Sequence, residues 1–113
     1  MHEMAITQSM FDLVLQHAEK AGAERVEKIS LVIGEMTGVV GECVRFYLDF
    51  LSKGTIVEGA TLSVQTVPPR TRCKDCGETF ELRELDWTCP RCHGSSLDII
   101  AGKELFVESI EVE

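Results

Sequence analysis

Two Cys-x-x-Cys pairs, Cys73-x-x-Cys76 and Cys89-x-x-Cys92, stand twelve residues apart, and they limit the folding options of this chain more than any other feature. Two residues between cysteines let both thiolates of a turn reach one ion. Two such turns facing each other supply four sulfurs in a tetrahedron, the preferred structural environment of Zn(II). The segment that carries them is roughly 30 residues long, below the ~40 that usually sustain a core without metal or disulfides. Its larger apolar side chains, Phe80, Leu82, Leu85, Trp87 and Leu97, are too few to fold it unaided. Zinc is therefore expected to fold this lobe, on the apparent ~10–16 kcal/mol scale of structural sites. Gly77 and Gly94, after the two pairs, are placed to let each turn reverse.

Other uses of four cysteines compete with this reading. Rubredoxin-like iron takes the same four-sulfur set and would colour the protein. Two disulfides fit an oxidised chain better than a reducing cytosol. Thioredoxin-like exchange needs a pair at a helix start after a strand, a setting neither pair has. A catalytic zinc is disfavoured because four thiolates leave no open position. His93, next to Cys92, is placed either to hydrogen-bond a coordinating sulfur or to turn toward another metal.

At 113 residues the chain has room for one domain with a small appendage. No segment approaches the ~18 consecutive apolar residues of a membrane span, and the polar N-terminus lacks a signal-peptide apolar region. A cytoplasmic location is expected. The formal net charge is -8, which argues against binding nucleic acid and favours cations or basic protein surfaces as partners. Outside residues 70–100 there are 13 acidic and 6 basic side chains, so the acidity sits away from the cysteine lobe. No serine or threonine has an evident histidine and carboxylate set beside it, and no enzyme activity is expected.

The remaining elements follow from periodicity. Residues 5–21 place Ile6, Met10, Leu13, Val14 and Ala21 at helical spacing, with Gly22 to end the helix. His17 lies in that stripe and reads as a core or interface histidine rather than a ligand. Residues 25–35 alternate as a strand, with Ile29, Leu31 and Ile33 on one face and Gly34 at its end. Residues 40–53 form a second helix whose apolar face comprises Val40, Cys43, Val44, Tyr47, Phe50 and Leu51. Cys43 is expected to be a small buried hydrophobe. Residues 61–67 alternate again, with Leu62 and Val64 in phase, until Pro68-Pro69 marks a boundary. The closing KELFVESIEVE is too apolar to stand alone and is expected to return to the first sheet. The fold class is thus α+β: two helices on a small mixed β-sheet, with an inserted zinc-ribbon lobe. The expected domains are an α/β unit, 1–68 completed by 102–113, and a ribbon at 69–101.

The chain opens Met1-His2-Glu3-Met4. A bulky second residue usually leaves the initiator methionine in place, so a free α-amine lies one peptide bond from an imidazole. Amine, peptide nitrogen and imidazole can close adjacent chelate rings around one ion. Nitrogen donors in a flattened array suit Ni(II) or Cu(II) better than hard cations. Taken alone, the stretch fits a metal-binding terminus or an incidental histidine.

With MHE at the start, LVIGE, GTIVEGATL, CPRCHG and the closing SIEVE in order, the whole chain resembles the HypA/HybF family of hydrogenase nickel-incorporation proteins. The resemblance implies a nickel metallochaperone for [NiFe]-hydrogenase maturation. It assigns nickel, as transported cargo, to Met1, His2 and Glu3, and structural zinc to Cys73, Cys76, Cys89 and Cys92. It also implies a HypB-type GTPase and the hydrogenase large subunit as partners, a homodimer in some members and urease as a further client in others. Some archaeal relatives have an extra nickel-binding histidine in an insertion between the cysteine pairs. The twelve-residue gap here has neither insertion nor histidine. A zinc-ribbon adaptor that binds proteins and carries no cargo is the competing reading.

Overall fold

The computed structural model describes residues 3–82 and 87–113. Met1, His2 and Leu85, which figure in the expectations above, lie outside the described residues.

Helix α1, Glu3–Lys20, buries Thr7, Met10, Phe11, Val14 and Ala18, an unbroken i, i+3/i+4 series. Thr7 can sit in the core because its hydroxyl donates to the Glu3 carbonyl at 2.6 Å. The helix ends at Gly22, whose φ of 68° is the left-handed conformation glycine adopts without steric penalty. Gly22 N–H donates to Glu19 and Ala23 N–H to Ala18, the paired bonds of a Schellman stop. Met10 and Val14 lie in the core as expected, whereas Thr7, Phe11 and Ala18 complete the buried line in place of Ile6, Leu13 and Ala21. Ala18 takes the inward place, and His17 is exposed rather than part of a core.

Strand β1, Val26–Gly34, lies in the middle of a three-stranded sheet of order β2-β1-β6. It pairs in parallel with β2, Thr61–Val67, and antiparallel with β6, Leu105–Val112. The sheet is therefore mixed, and the closing segment returns to it as the sequence requires. Ile29, Leu31 and Ile33, each at most 3% exposed, form the floor of the core beneath α1 and helix α2, Gly41–Leu51.

Helix α2 corrects one expectation. Its buried residues are Val44 and Leu48, with Leu51 packed at the margin. Cys43 is exposed, Phe50 is 62% exposed and Phe46 is 69% exposed. Val44 and Leu51 are inward as expected, and the helix is rotated so that Leu48 joins them in the core it shares with α1. The neighbouring 43-46-50 line, equally regular in spacing, faces outward, where Phe46 stacks edge-on against Tyr47 at 5.5 Å. After α2, consecutive turns over residues 52–60 insert Val57 into the core, and Val26 N–H donates to Ile56 at 2.8 Å.

Beyond Pro68-Pro69 the chain forms a second sheet of order β4-β3-β5, from β3 Arg70–Cys73, β4 Thr79–Glu81 and β5 Leu97–Ala101. Its apolar content is slight. Leu82 is buried, Phe80 and Leu97 are half-buried, and Trp87 is exposed. The two sheets meet where β1 ends and the return to β6 begins. Gly34 N–H donates to Glu104 at 2.6 Å, and Met36 N–H to Gly102 at 2.8 Å. A side chain on Gly34 would overlap the Gly102 carbonyl, and one on Gly102 would meet Pro69 Cα at 2.8 Å. Only bare backbone fits this crossing.

The corrected α2 face can be tested by unfolding the metal-loaded protein in denaturant. Leu48→Ala should lower stability by about 2–5 kcal/mol through the cavity it leaves. Phe46→Ala, on the outward line, should cost less than about 1 kcal/mol.

Candidate metal centre

The first cysteine turn begins at the end of β3. Cys73 N–H donates to Glu78 at 2.8 Å, and Gly77, at φ 78°, donates back to Cys73 at 2.9 Å. In the second turn Cys89 N–H donates to Gly94 at 2.8 Å, while His93 N–H donates to Cys89 at 2.9 Å. Here His93 takes the left-handed position, at φ 63°, in place of the glycine expected to make the reversal. Gly94 serves a different purpose. A Cβ there would stand 3.0 Å from an Asp75 carboxylate oxygen and 3.3 Å from Cys92 Sγ, so the residue keeps space beside a sulfur. The His93 side chain is exposed, and its backbone accounts for its place in the turn.

These turns bring the four sulfurs within 4.8 Å of one another. Cys73 Sγ lies 3.5 Å from Cys92 Sγ, and Cys76 Sγ lies 3.6 Å from Cys89 Sγ. Zn–S bonds of about 2.3 Å imply tetrahedral edges of about 3.8 Å, so the thiol set fits zinc. Cys73 and Cys89 are buried, Cys76 is intermediate and Cys92 reaches solvent. Around this set, Arg91 pairs with Glu78 across the turns at 3.5 Å and Lys74 with Asp98 at 3.4 Å. Both pairs are half-exposed and worth little alone.

The thiols titrate apart. Cys89 is held down at about 7, first by the N–H of Cys92 and then by that of Arg91, against the opposing effect of burial. These donors lie 3.5 and 3.4 Å from its sulfur. At Cys76 the N–H of Glu78 lowers the value, but burial and the sulfurs of Cys89, Cys73 and Cys92 outweigh it and push it up to about 12. Cys92 is raised as well, where the Gly94 N–H is outweighed chiefly by the Cys73 sulfur and burial. Like charges so close disfavour a second thiolate. A divalent cation held by Cys73, Cys76, Cys89 and Cys92 would relieve that conflict by taking the place of the protons. The amide donors on Cys89 are features that residue spacing alone does not reveal.

Of the three residues expected to take nickel, only Glu3 lies among the described residues. Glu3 opens α1, and its carboxylate accepts the Val40 N–H at 3.4 Å, which brings the start of α1 beside the start of α2. His17 faces a groove lined also by Leu13 and Glu108. Among the described residues, no other group of three or more histidine, cysteine or acidic donors converges. None of the described helices is long and apolar enough to cross a membrane.

With this geometry in view, the likeness to known proteins is extensive. Residues 1–112 match the family described as hydrogenase/urease nickel incorporation, metallochaperone, HypA. The chain is 42% identical to the hydrogenase maturation factor HypA of Caldanaerobacter subterraneus subsp. tengcongensis, with all of both chains covered. It is 38% identical to the hydrogenase maturation factor HybF of Salmonella typhimurium, again over the whole of both. A solution structure of a HypA protein superposes with a TM-score of 0.73 at 27% identity, covering 100% of this chain and 97% of that one. The solution structure of the Ni metallochaperone HypA from Helicobacter pylori gives 0.66 at 28% identity, covering 99% and 97%. Sequence, fold and the four-thiol cluster agree, and the chain belongs to the HypA family of hydrogenase/urease nickel-incorporation metallochaperones.

Proposed function

We propose that this protein binds Ni(II) at its N-terminus, through Met1, His2 and Glu3, and delivers it during [NiFe]-hydrogenase maturation. Cys73, Cys76, Cys89 and Cys92 hold a structural zinc. The observation that carries the reading is the full-length family match, in a chain that keeps both MHE and the four converging thiols. The division of labour is chemically sensible. Four thiolates close around one ion and retain it. A terminus with few side-chain donors can bind an ion moderately and let it leave.

Two domains fit these roles: residues 1–68 with 102–113 for nickel, and 69–101 for zinc. The protein works in the cytoplasm without catalysing a reaction. It hands its cargo to the hydrogenase large subunit with a HypB-type GTPase, and two copies can associate. The adaptor reading, a zinc ribbon without cargo, differs in requiring no nickel affinity at the terminus.

Calorimetry on the native protein, an N-terminally extended form and His2→Ala separates the two. His2→Ala should abolish specific nickel binding with zinc content and fold unchanged. Extension should weaken nickel, because the α-amine becomes an amide. Native binding should fall as the pH drops through the imidazole range, near a reference pKa of about 6.5. Equal nickel uptake by all three would sink the assignment and direct attention to His17, His93 or the cysteines.

Zinc should be present at one per chain and be lost from Cys73→Ser or Cys89→Ser, with unfolding of the lobe, as metal analysis and circular dichroism would report. Its affinity, measured by chelator competition, should fall on acidification. The sign follows from protons competing for sulfur: zinc must displace the Cys76 proton, held up to about 12, whereas Cys89 yields its own at about 7.

The acidic surplus outside the lobe gives a further expectation. Association with the GTPase through the α/β part should weaken as salt rises. A salt-independent affinity would point to an apolar contact instead.

A further inference from the structure

Helix α1 carries more apolar surface than the sheet beneath it covers. Its inward line is buried, but Leu13 is 44% exposed and Ile6 is only partly covered. Both face a groove of about 390 Å³ between α1 and β6, walled on the strand side by Leu105, Phe106 and Val107. A second hollow of about 230 Å³ continues it toward His17 and shares Leu13 and Val107 in its walls. The groove lies along β6, an edge strand of its sheet. The groove opens between α1 and this edge strand, and its inner end reaches Leu31 and Val44.

The two edges of this sheet differ. On β2 the Arg45 guanidinium donates to the Leu62 carbonyl at 2.7 Å. Among the described residues no side-chain hydrogen bond caps β6 in that way. A register shift between Ser30 and Leu31 leaves Glu108 as an extra residue in β6. It divides the edge, and the apolar groove follows the Leu105–Val107 side. The charge is also one-sided. Glu111 and Glu113 are paired with Lys28 and Arg25, but Glu108 has no ion pair among the described residues.

We propose that the groove between α1 and β6 receives an extended segment of a partner protein, which adds to the free edge of β6. That segment has alternating bulky apolar side chains, directed beneath α1 toward Ile6, Leu13 and Val107, and a lysine or arginine that meets Glu108. Strand addition supplies main-chain partners along the β6 edge, side chains of α1 and β6 line the pocket, and Glu108, without an ion pair among the described residues, sets the charge. The inference does not depend on which metal the protein carries.

The probe is a short acetylated peptide alternating valine with lysine, titrated into the zinc-loaded full chain by calorimetry. Controls are the same peptide with proline at alternate positions and a helix-forming isomer of equal composition. The first peptide should bind, and the proline form should not, since it lacks the N–H groups that pair. Leu13→Ser and Phe106→Ser, at side chains already half-exposed, should each weaken binding by roughly tenfold. Glu108→Gln should weaken it less and flatten its salt dependence. Amide exchange on the unaltered protein gives a readout free of folding effects, with slower exchange expected over Leu105–Val107 when peptide is present. Unchanged affinity in both serine variants, equal binding of the helical isomer, or no protection in β6 would overturn the proposal. So would a wild-type dimer in sedimentation that Leu13→Ser dissociates, because the occupant would then be a second copy.

Discussion

Strand β1 has a neighbour on each edge and a core on one face, and the rest of the molecule is arranged around that demand. A strand so apolar, with Ile29, Leu31 and Ile33 all buried, must have helices over it and hydrogen-bonding partners at both sides. A parallel partner needs a crossover, which α2 provides before β2. The antiparallel partner is supplied from the far end of the chain. Everything between β2 and β6 is therefore an excursion from one end of the sheet, and the ribbon lobe has to leave and return at nearly one point. The crossing of Gly34, Pro69 and Gly102 is the result. Backbone there approaches backbone more closely than any Cβ permits.

The lobe that leaves through this crossing obeys a different physics. Its short strands bury little apolar surface, so its order depends on the cysteine turns. Four sulfurs within 4.8 Å are unfavourable together as thiolates and unremarkable together around a cation. Main-chain donors aimed at Cys89 hold its thiol down at about 7, below the raised thiols of Cys76 and Cys92. The α/β part requires no such help. Its stability comes from α1 and α2 packing against each other and over the sheet.

Both helices are amphipathic twice over. Each has one apolar line that fits the sheet and a neighbouring one that does not: Ile6 and Leu13 on α1, Cys43, Phe46 and Phe50 on α2. On α1 the surplus lies beside an open strand edge.

That surplus also marks where reading the residues in order succeeds and where it stops. Spacing located both helices, strands β1, β2 and β6, the return of the last strand and the insertion of the lobe, because period and turn chemistry are local properties. The pairing of the two Cys-x-x-Cys turns was legible for the same reason, since a four-sulfur set is a local demand made twice. Which of two adjacent apolar lines on a helix faces inward is a different matter. The spacing of α2 draws one broad apolar face through Val40, Cys43, Val44, Tyr47, Phe50 and Leu51, and only packing in the shared core, against α1 and beside Val57, narrows it to Val44, Leu48 and Leu51. Spacing puts His17 in the apolar stripe of α1, yet in the fold it stands exposed at an open hollow beside β6 instead of in the core. His93 at a left-handed position, and Gly94 held bare by Asp75 and Cys92, depend equally on what lies across the turn. The order of residues determined the elements and the donor set; the tertiary structure decided which faces are covered, because burial is a relation between surfaces distant in the chain.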